Sequence, residues 1–300
     1  MKMKKQSQKN KKQQTLRSFH EKWAQNPELA LKQTLDSESS FQKWILDRND
    51  FKDAEDAANQ LKSYSRILDA GCGNGRVTAL LASLLPEAKI VGIDIIDLDI
   101  PKNNTEQFPN VQFIYADLTE DLSHLGNFDY IYCQEVLHHT GNAKETFSNL
   151  VKILERNGKI AIYVYRKKAP VREFSDDFIR EKISLMEYED AMKACRQMAE
   201  LGKRLTKLNT EVEVEDMPLL GIVKGKYTIQ RLIYHFFMKC YWNPELSEEE
   251  NAVINYDWYH PQNCSRHTMQ EVLGWFENED LEITWQFEDL YGITVHGVKK

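Results

Sequence analysis

Ile67-Leu-Asp-Ala-Gly-Cys-Gly-Asn-Gly75 is the stretch that decides the fold. A short apolar run from Arg66 to Ala70 ends in Gly71, Gly73 and Gly75. Behind them Val77, Leu80, Leu81 and Leu84 recur at helical spacing. That order predicts a strand, a tight turn and an amphipathic helix. Glycine lets the backbone turn sharply and a ligand approach the main chain. The helix N-terminus beyond the turn favours polar or anionic groups. The same alternation continues outward. Strands are predicted over residues 89–95, 111–117, 129–134 and 159–165, and a helix over 143–154 that stops at Asn157-Gly158. Near-continuous apolar strands alternating with helices imply an α/β protein with a parallel sheet covered on both faces.

Between Pro170 and about Asp257 the strand pattern disappears. Phe174/Phe178, Ile179/Ile183 and Met192/Cys195/Ala199 suggest helices, as does the aromatic stretch Thr228–Tyr241. This reads as a helical insertion. Thr268-Met-Gln-Glu271 is a capping box opening a helix, and strands over 282–287 and 292–298 close the core. Upstream, helices over 16–26 and 39–49 carry Phe19, Trp23 and Trp44. The expected division is a basic disordered tail 1–20, N-terminal helices 21–64, an α/β domain 65–166 with 268–300, and a mainly helical insertion 167–267.

Composition excludes several classes. The chain has 300 residues, net charge −7 and 42% hydrophobic residues, enough for a sizeable core. No apolar run approaches the ~20 residues of a membrane span. The five cysteines are widely spaced with no CxxC, so reduced thiols in a cytoplasm fit better than disulfides or a cysteine-rich zinc site. Residues 1–20 hold six lysines, Arg17 and no acid. That segment is +7, leaving −14 for the rest, and an acidic body repels nucleic-acid phosphates. Nucleic acid is therefore not expected as the main partner. The insertion is a candidate homodimer surface.

Two acids follow the glycine turn. Asp94 ends the second strand, at the spacing where a doubly wound fold places a ribose-binding carboxylate. Asp117 ends the third, where a carboxylate can accept from an adenine amino group. Consecutive strand ends are where open α/β sheets bind ligands. A nicotinamide cofactor fits less well, because Arg76 stands where G-x-G-x-x-G requires its last glycine.

Five ordered motifs resemble the class I S-adenosylmethionine-dependent methyltransferases. They are Ile67–Gly75, Gly92-Ile-Asp94, Ala116-Asp-Leu118, Phe128-Asp-Tyr-Ile-Tyr-Cys-Gln-Glu-Val-Leu-His-His139 and Leu150–Gly158. The resemblance implies a Rossmann-like, seven-stranded, mostly parallel sheet with an antiparallel C-terminal strand and an insertion between the fifth and sixth strands. It implies that Asp69, Gly71, Cys72 and Gly73 line the methionine portion of S-adenosylmethionine. Asp94 would hold the ribose with Ile95 beside the adenine, Asp117 and Leu118 would recognise the adenine, and Gln134 would face the methionine end. Phe19, Trp23 or Trp44 would supply a lid.

Methyl transfer needs a base only when the acceptor is protonated at working pH. His138 and His139 are candidates for that role or for pocket lining. Arg166, Arg172, Trp258, Tyr259, His260 and Arg266 are candidates for binding the acceptor, with an arginine holding a carboxylate or phosphate. The segment around 256–261 reads as a substrate-recognition loop or as a loop packing aromatics on the core. A metal on His260, Cys264 and His267 is the weaker reading, since capping explains 265–271. The expected activity is methylation of an oxygen or nitrogen of a small or medium-sized metabolite of sugar, lipid or secondary-metabolite type. The alternatives are an RNA- or protein-modifying enzyme using the tail, and a non-catalytic cofactor-binding regulator.

Overall fold

The computed structural model describes residues 2–300, with side chains from residue 8 onward; Met1 lies outside the described residues. Its elements run α1 (Lys2–Gln25), α2 (Leu31–Leu35), α3 (Ser40–Arg48), α4 (Ala54–Leu61), β1 (Arg66–Ala70), α5 (Arg76–Leu84), β2 (Lys89–Asp94), α6 (Asp99–Asn104), β3 (Val111–Tyr115), β4 (Phe128–Gln134), α7 (Ala143–Lys152) and β5 (Leu154–Tyr165). They continue as α8 (Pro170–Ile183), α9 (Tyr188–Lys207), β6 (Glu211–Val214), β7 (Gly225–Thr228), α10 (Ile229–Phe236), α11 (Glu248–Tyr259), α12 (Met269–Asn278), β8 (Leu281–Glu288) and β9 (Gly292–Lys299). Two compact units result. The sheet unit is Trp23–Arg166 with Ser265–Lys300, and the helical unit is Met1–Lys22 with Lys167–Cys264.

The sheet unit is built on seven strands ordered β3-β2-β1-β4-β5-β9-β8, in which β9 runs antiparallel to both neighbours. This is the Rossmann-like sheet that the motifs imply. Successive strand residues point to opposite faces. Ile67 and Ile90 therefore join Leu61, Leu80 and Leu81 on one side, while Leu68 and Val91 join Phe147, Leu150 and Phe276 on the other. Strand order reverses between β1 and β4, so their C-terminal ends flank the ligand-binding crevice of such sheets. The capping box at Thr268 and Glu271 forms as predicted. The helix before β5 stops at Lys152, not at Asn157-Gly158. Phe128 pairs with Leu154 but Tyr130 with Lys159, so residues 155–158 bulge, with Asn157 at φ 63°. The Asn-Gly pair marks this bulge.

The helical unit departs from expectation in three places. The supposed disordered tail is helix α1. The Gln14 amide donates to the carbonyl of His260 at 2.8 Å, and Lys22 pairs with Asp257 at 2.7 Å. The Nδ1 of His260 bonds the Ser18 hydroxyl at 2.7 Å. These partners are polar and distant in sequence, so composition alone could not reveal them. A strand pair, β6–β7, also interrupts the insertion. The aromatic segment around 256–261 is largely helix α11.

Two buried imidazoles make stability depend on pH. Burial, then Lys159, pushes His296 down to about 3. Burial, then Arg172, Arg231 and Lys168, pushes His235 down to about 3. Unfolded histidine takes up its proton near pH ~6.5. Both groups thus contribute stability above that value, and it is lost as pH falls from there toward the folded values. Between pH 7 and pH 5 each is expected to cost about 2 kcal/mol. Thermal unfolding checks this. His296→Gln should lower the midpoint at pH 7 yet flatten its fall toward pH 5, and an unchanged slope would refute the assignment.

Candidate active site

The glycine turn sits at the end of β1. The N–H groups of Gly71 and Cys72 both donate to the carbonyl of Ile93, at 2.8 and 3.0 Å. Gly71 and Gly73 adopt φ +82° and +53°, a left-handed region that side chains disfavour. A Cβ on Gly71 would collide with the Val136 side chain, and one on Gly73 would lie 2.8 Å from the Trp23 ring. Of the three aromatic lid candidates, Trp23 is the one over this turn. Trp44 instead packs on Tyr163, with ring centroids 5.5 Å apart, and Phe19 belongs to the helical unit, beside Lys22.

Carboxylates border the turn. Asp94 accepts from the Gly73 N–H at 2.9 Å and the Ile95 N–H at 2.7 Å, tying the end of β2 to the glycines. Asp94 does not cap a helix, since α6 begins only at Asp99. Asp117 accepts from the N–H and hydroxyl of Thr119, at 2.9 and 2.7 Å. Ile95 is partly exposed and Leu118 buried. Asp69 is buried and accepts from the Thr78 hydroxyl at 2.6 Å. Burial raises its carboxyl to about 6, against the lowering effect of that hydrogen bond. Burial likewise pushes the Cys72 thiol up, so it stays protonated.

Gln134, at the end of β4, is aimed by a chain of hydrogen bonds whose directions are all fixed. The Asn49 amide donates to the Ile45 carbonyl at 2.7 Å and to the Tyr132 hydroxyl at 3.2 Å. The Asn49 oxygen must then accept, so His296 Nε2 carries the proton between them at 3.0 Å. Tyr132 in turn donates to Gln134 Oε1 at 2.8 Å. That leaves Gln134 Nε2 as a buried donor with no protein partner. Nothing in the sequence signals this chain, because Asn49 reads as an ordinary residue capping α3 and His296 lies in an apolar strand. Tyr132→Phe is expected to release the amide and weaken ligand binding several-fold, about 1 kcal/mol. Calorimetric titration with S-adenosylhomocysteine checks it, and wild-type affinity would contradict the chain's role.

The two adjacent histidines differ. His138 is fully buried and its ring stacks on Tyr165 at 3.6 Å. Its Nδ1 faces the Tyr165 N–H at 3.3 Å and so acts as acceptor. The neutral ring then carries its proton on Nε2. His139 meets the His138 ring edge-on at 4.4 Å. Segment 265–267 runs alongside: the Ser265 N–H donates to the His138 carbonyl at 2.8 Å, and the His267 N–H to the Tyr165 carbonyl at 2.9 Å. Arg266 is thus placed between the segment of His138 and the end of β5.

A family model described as a methyltransferase domain matches residues 61–219, more than half of the chain. The chain belongs to this methyltransferase family. A trans-aconitate 2-methyltransferase of Deinococcus radiodurans is 33% identical over 129 residues, covering 40% of this chain and 49% of that protein. A ubiquinone biosynthesis O-methyltransferase of Rickettsia akari is 33% identical over 106 residues, 35% of this chain and 41% of the relative. The chain thus spans about half or less of the curated relatives it matches. PKMT2 from Rickettsia typhi, solved with AdoHcy, superposes with a TM-score of 0.49 at 14% identity, covering 79% of this chain and 50% of that one.

The cofactor of this methyltransferase domain is S-adenosylmethionine, and the residues present fit it. Gln134 Nε2 is an orphaned buried donor, the glycine turn admits no Cβ, and Asp94 stands at the end of β2 beside that turn. The acceptor-binding candidates divide between the two units. Arg166, in the sheet unit with Arg266, donates to the Asp289 carbonyl at 3.0 Å and pairs with Glu288 at 3.3 Å. Arg172, Trp258, Tyr259 and His260 lie buried in the helical unit. His260 is engaged by Ser18 and by the Met186 carbonyl. Trp258 and Tyr259 both donate to Asp176, at 2.9 and 2.8 Å. Among the described residues, no group of three His, Cys, Asp or Glu is arranged to hold a metal ion. No described helix is long and apolar enough to cross a membrane.

Proposed function

We propose that the protein methylates an oxygen or nitrogen of a small or medium-sized metabolite. When bound, S-adenosylmethionine supplies a methyl group already activated on a sulfonium. In this reading Asp69, Gly71, Cys72 and Gly73 line its methionine portion, Gln134 donates at the methionine end, Asp94 accepts from the ribose beside Ile95, and Asp117 with Leu118 recognises the adenine. The observation that carries the reading is the gathering of Asp69, Asp94, Asp117 and Gln134 at neighbouring ends of parallel strands. Alignment of the acceptor lone pair with the methyl–sulfur bond is the main catalytic demand. Where the acceptor must lose a proton, His139 is the base in this reading. His138, already accepting from the Tyr165 N–H, lines and shapes the site instead.

The five cysteines are free thiols, which supports a reducing, cytoplasmic setting. The exposed side chains of Phe174, Phe178, Leu185 and Leu219 support the helical unit as a homodimer surface. The basic N-terminal segment is weak support for an RNA or protein acceptor, because Gln14, Ser18 and Lys22 are engaged inside the helical unit. Deleting 1–20 would damage that unit, so reversing the exposed Lys9 and Lys11 to Glu is the cleaner probe.

Labelled S-adenosylmethionine added to lysate, then fractionated, tests the proposal. Label in the small-molecule or lipid pool, absent with Asp94→Ala, is the expected result. Label confined to RNA or protein overturns it. Binding without transfer to any pool would favour a regulator.

A further inference from the structure

The helical unit concentrates cations around two aromatic rings, although the chain as a whole is −7. Lys239 Nζ, Arg172 Cζ, Arg180 Cζ and Lys168 Nζ lie 5.1, 5.2, 5.4 and 5.7 Å from the Trp258 ring centre. Arg172 and Arg231 share the neighbouring Tyr234 ring, at 4.7 and 5.4 Å. The buried carboxylate facing them, Asp176, is already saturated. It accepts from Arg172 Nε at 3.1 Å, Trp258 Nε1 at 2.9 Å, Tyr259 Oη at 2.8 Å and the Lys239 N–H at 3.0 Å. A carboxylate has about four lone-pair sites. Asp177 pairs with Arg180 from a half-exposed position.

Guanidinium nitrogens are left over as a result. Arg172 Nη1, Arg180 Nε and Arg231 Nη1 are buried without a hydrogen-bond partner in the protein, and Arg172 itself is only 1% exposed. An unmade bond on a buried charged donor is costly unless something fills it. The pKa of His235, held low by burial and then by Arg172, Arg231 and Lys168, is a second sign that these cations converge. The imidazole is neutral at pH 7 and adds no charge of its own. Planar guanidinium pairs are suited to two-oxygen acceptors.

We propose that the helical unit holds an oxyanion-binding site in which Arg172 and Arg231, on the ring of Tyr234, take a carboxylate or phosphate group. The assignment of that group to the methyl acceptor, making it an acidic metabolite, rests on the function proposed above.

The full chain is titrated with inorganic phosphate and separately with citrate, read by thermal midpoint and tryptophan fluorescence. Calorimetric affinity for S-adenosylhomocysteine serves as the folding control. A saturable shift with one or both probes is expected, and the better probe distinguishes phosphate from carboxylate. Arg231→Gln, at a half-buried position, should weaken the response by about tenfold or more, with cofactor affinity unchanged. Arg172→Lys keeps the charge but loses the fork, and should weaken it too. No saturable shift with either probe on the wild type overturns the site. So does an equal response in wild type and folded Arg231→Gln. If the probes bind as expected but neither they nor Arg231→Gln alters methyl transfer, the site stands and its assignment to the acceptor falls.

Discussion

Asp94→Ala is expected to weaken S-adenosylmethionine binding by about 100-fold or more, the equivalent of two charge-assisted hydrogen bonds. The effect is compound. Besides the two ribose hydroxyls assigned to this carboxylate, the substitution removes the acceptor for the Gly73 and Ile95 N–H groups. The turn that carries the glycines then loses its tie to β2. Asp94→Asn is the milder change. An amide keeps one oxygen, so only one of the Gly73 and Ile95 N–H groups retains its acceptor. Its expected affinity and thermal stability are both intermediate. Calorimetric titration with S-adenosylhomocysteine checks both variants, and an Asp94→Ala dissociation constant within threefold of wild type would remove Asp94 from the ribose role.

The second large effect concerns stability. Arg48 ends α3 and is 2% exposed. Its two terminal nitrogens pair with Asp289. Its Cζ lies 4.3 Å from the Trp44 ring centre, 5.2 Å from Tyr163, 5.6 Å from Tyr291 and 5.7 Å from Phe287. Arg48→Met removes the buried cation but leaves Asp289 and an aromatic box built around a planar ion. A loss of about 3 kcal/mol is expected, the lower end for breaking a buried pair because Asp289 keeps some contact with water. Arg48→Lys should recover only part of it, since an ammonium neither stacks nor binds both carboxylate oxygens. Urea unfolding measures both, and a loss below about 1 kcal/mol for Arg48→Met would show the pair to be energetically idle.

The sheet unit was legible because its signals are local. Strand and helix periods alternate from Arg66 to Tyr165, Thr268 and Glu271 cap one another three residues apart, and Asp94 at the end of β2 and Asp117 two residues past β3 sit at countable distances from Gly75. The residues proposed to hold the cofactor were chosen on the same local spacing. What remained hidden depends on contacts made across the chain. Gln134 is aimed by Tyr132, Asn49 and His296, the last 162 positions away in sequence. Trp258 and Tyr259, expected to face an acceptor, spend their polar atoms on Asp176. The lysine-rich N-terminus, with little apolar content, carried every compositional mark of disorder. From Gln14 to Lys22 it is held by side-chain hydrogen bonds and an ion pair that composition does not weigh.

That same helix sets a timetable for synthesis. The bond from Gln14 to His260 spans 246 positions, so α1 leaves the ribosome well before the residues that engage it. At ~5–20 residues per second the interval is roughly 10–50 s. Throughout it, the contacts of Gln14, Thr15 and Ser18 with residues 260–263 are unmade, while residues 23–166 of the sheet unit are already available to fold. The helical unit is therefore the late-closing part of the molecule, and chaperones or proteases acting on the nascent chain have their longest opportunity at α1.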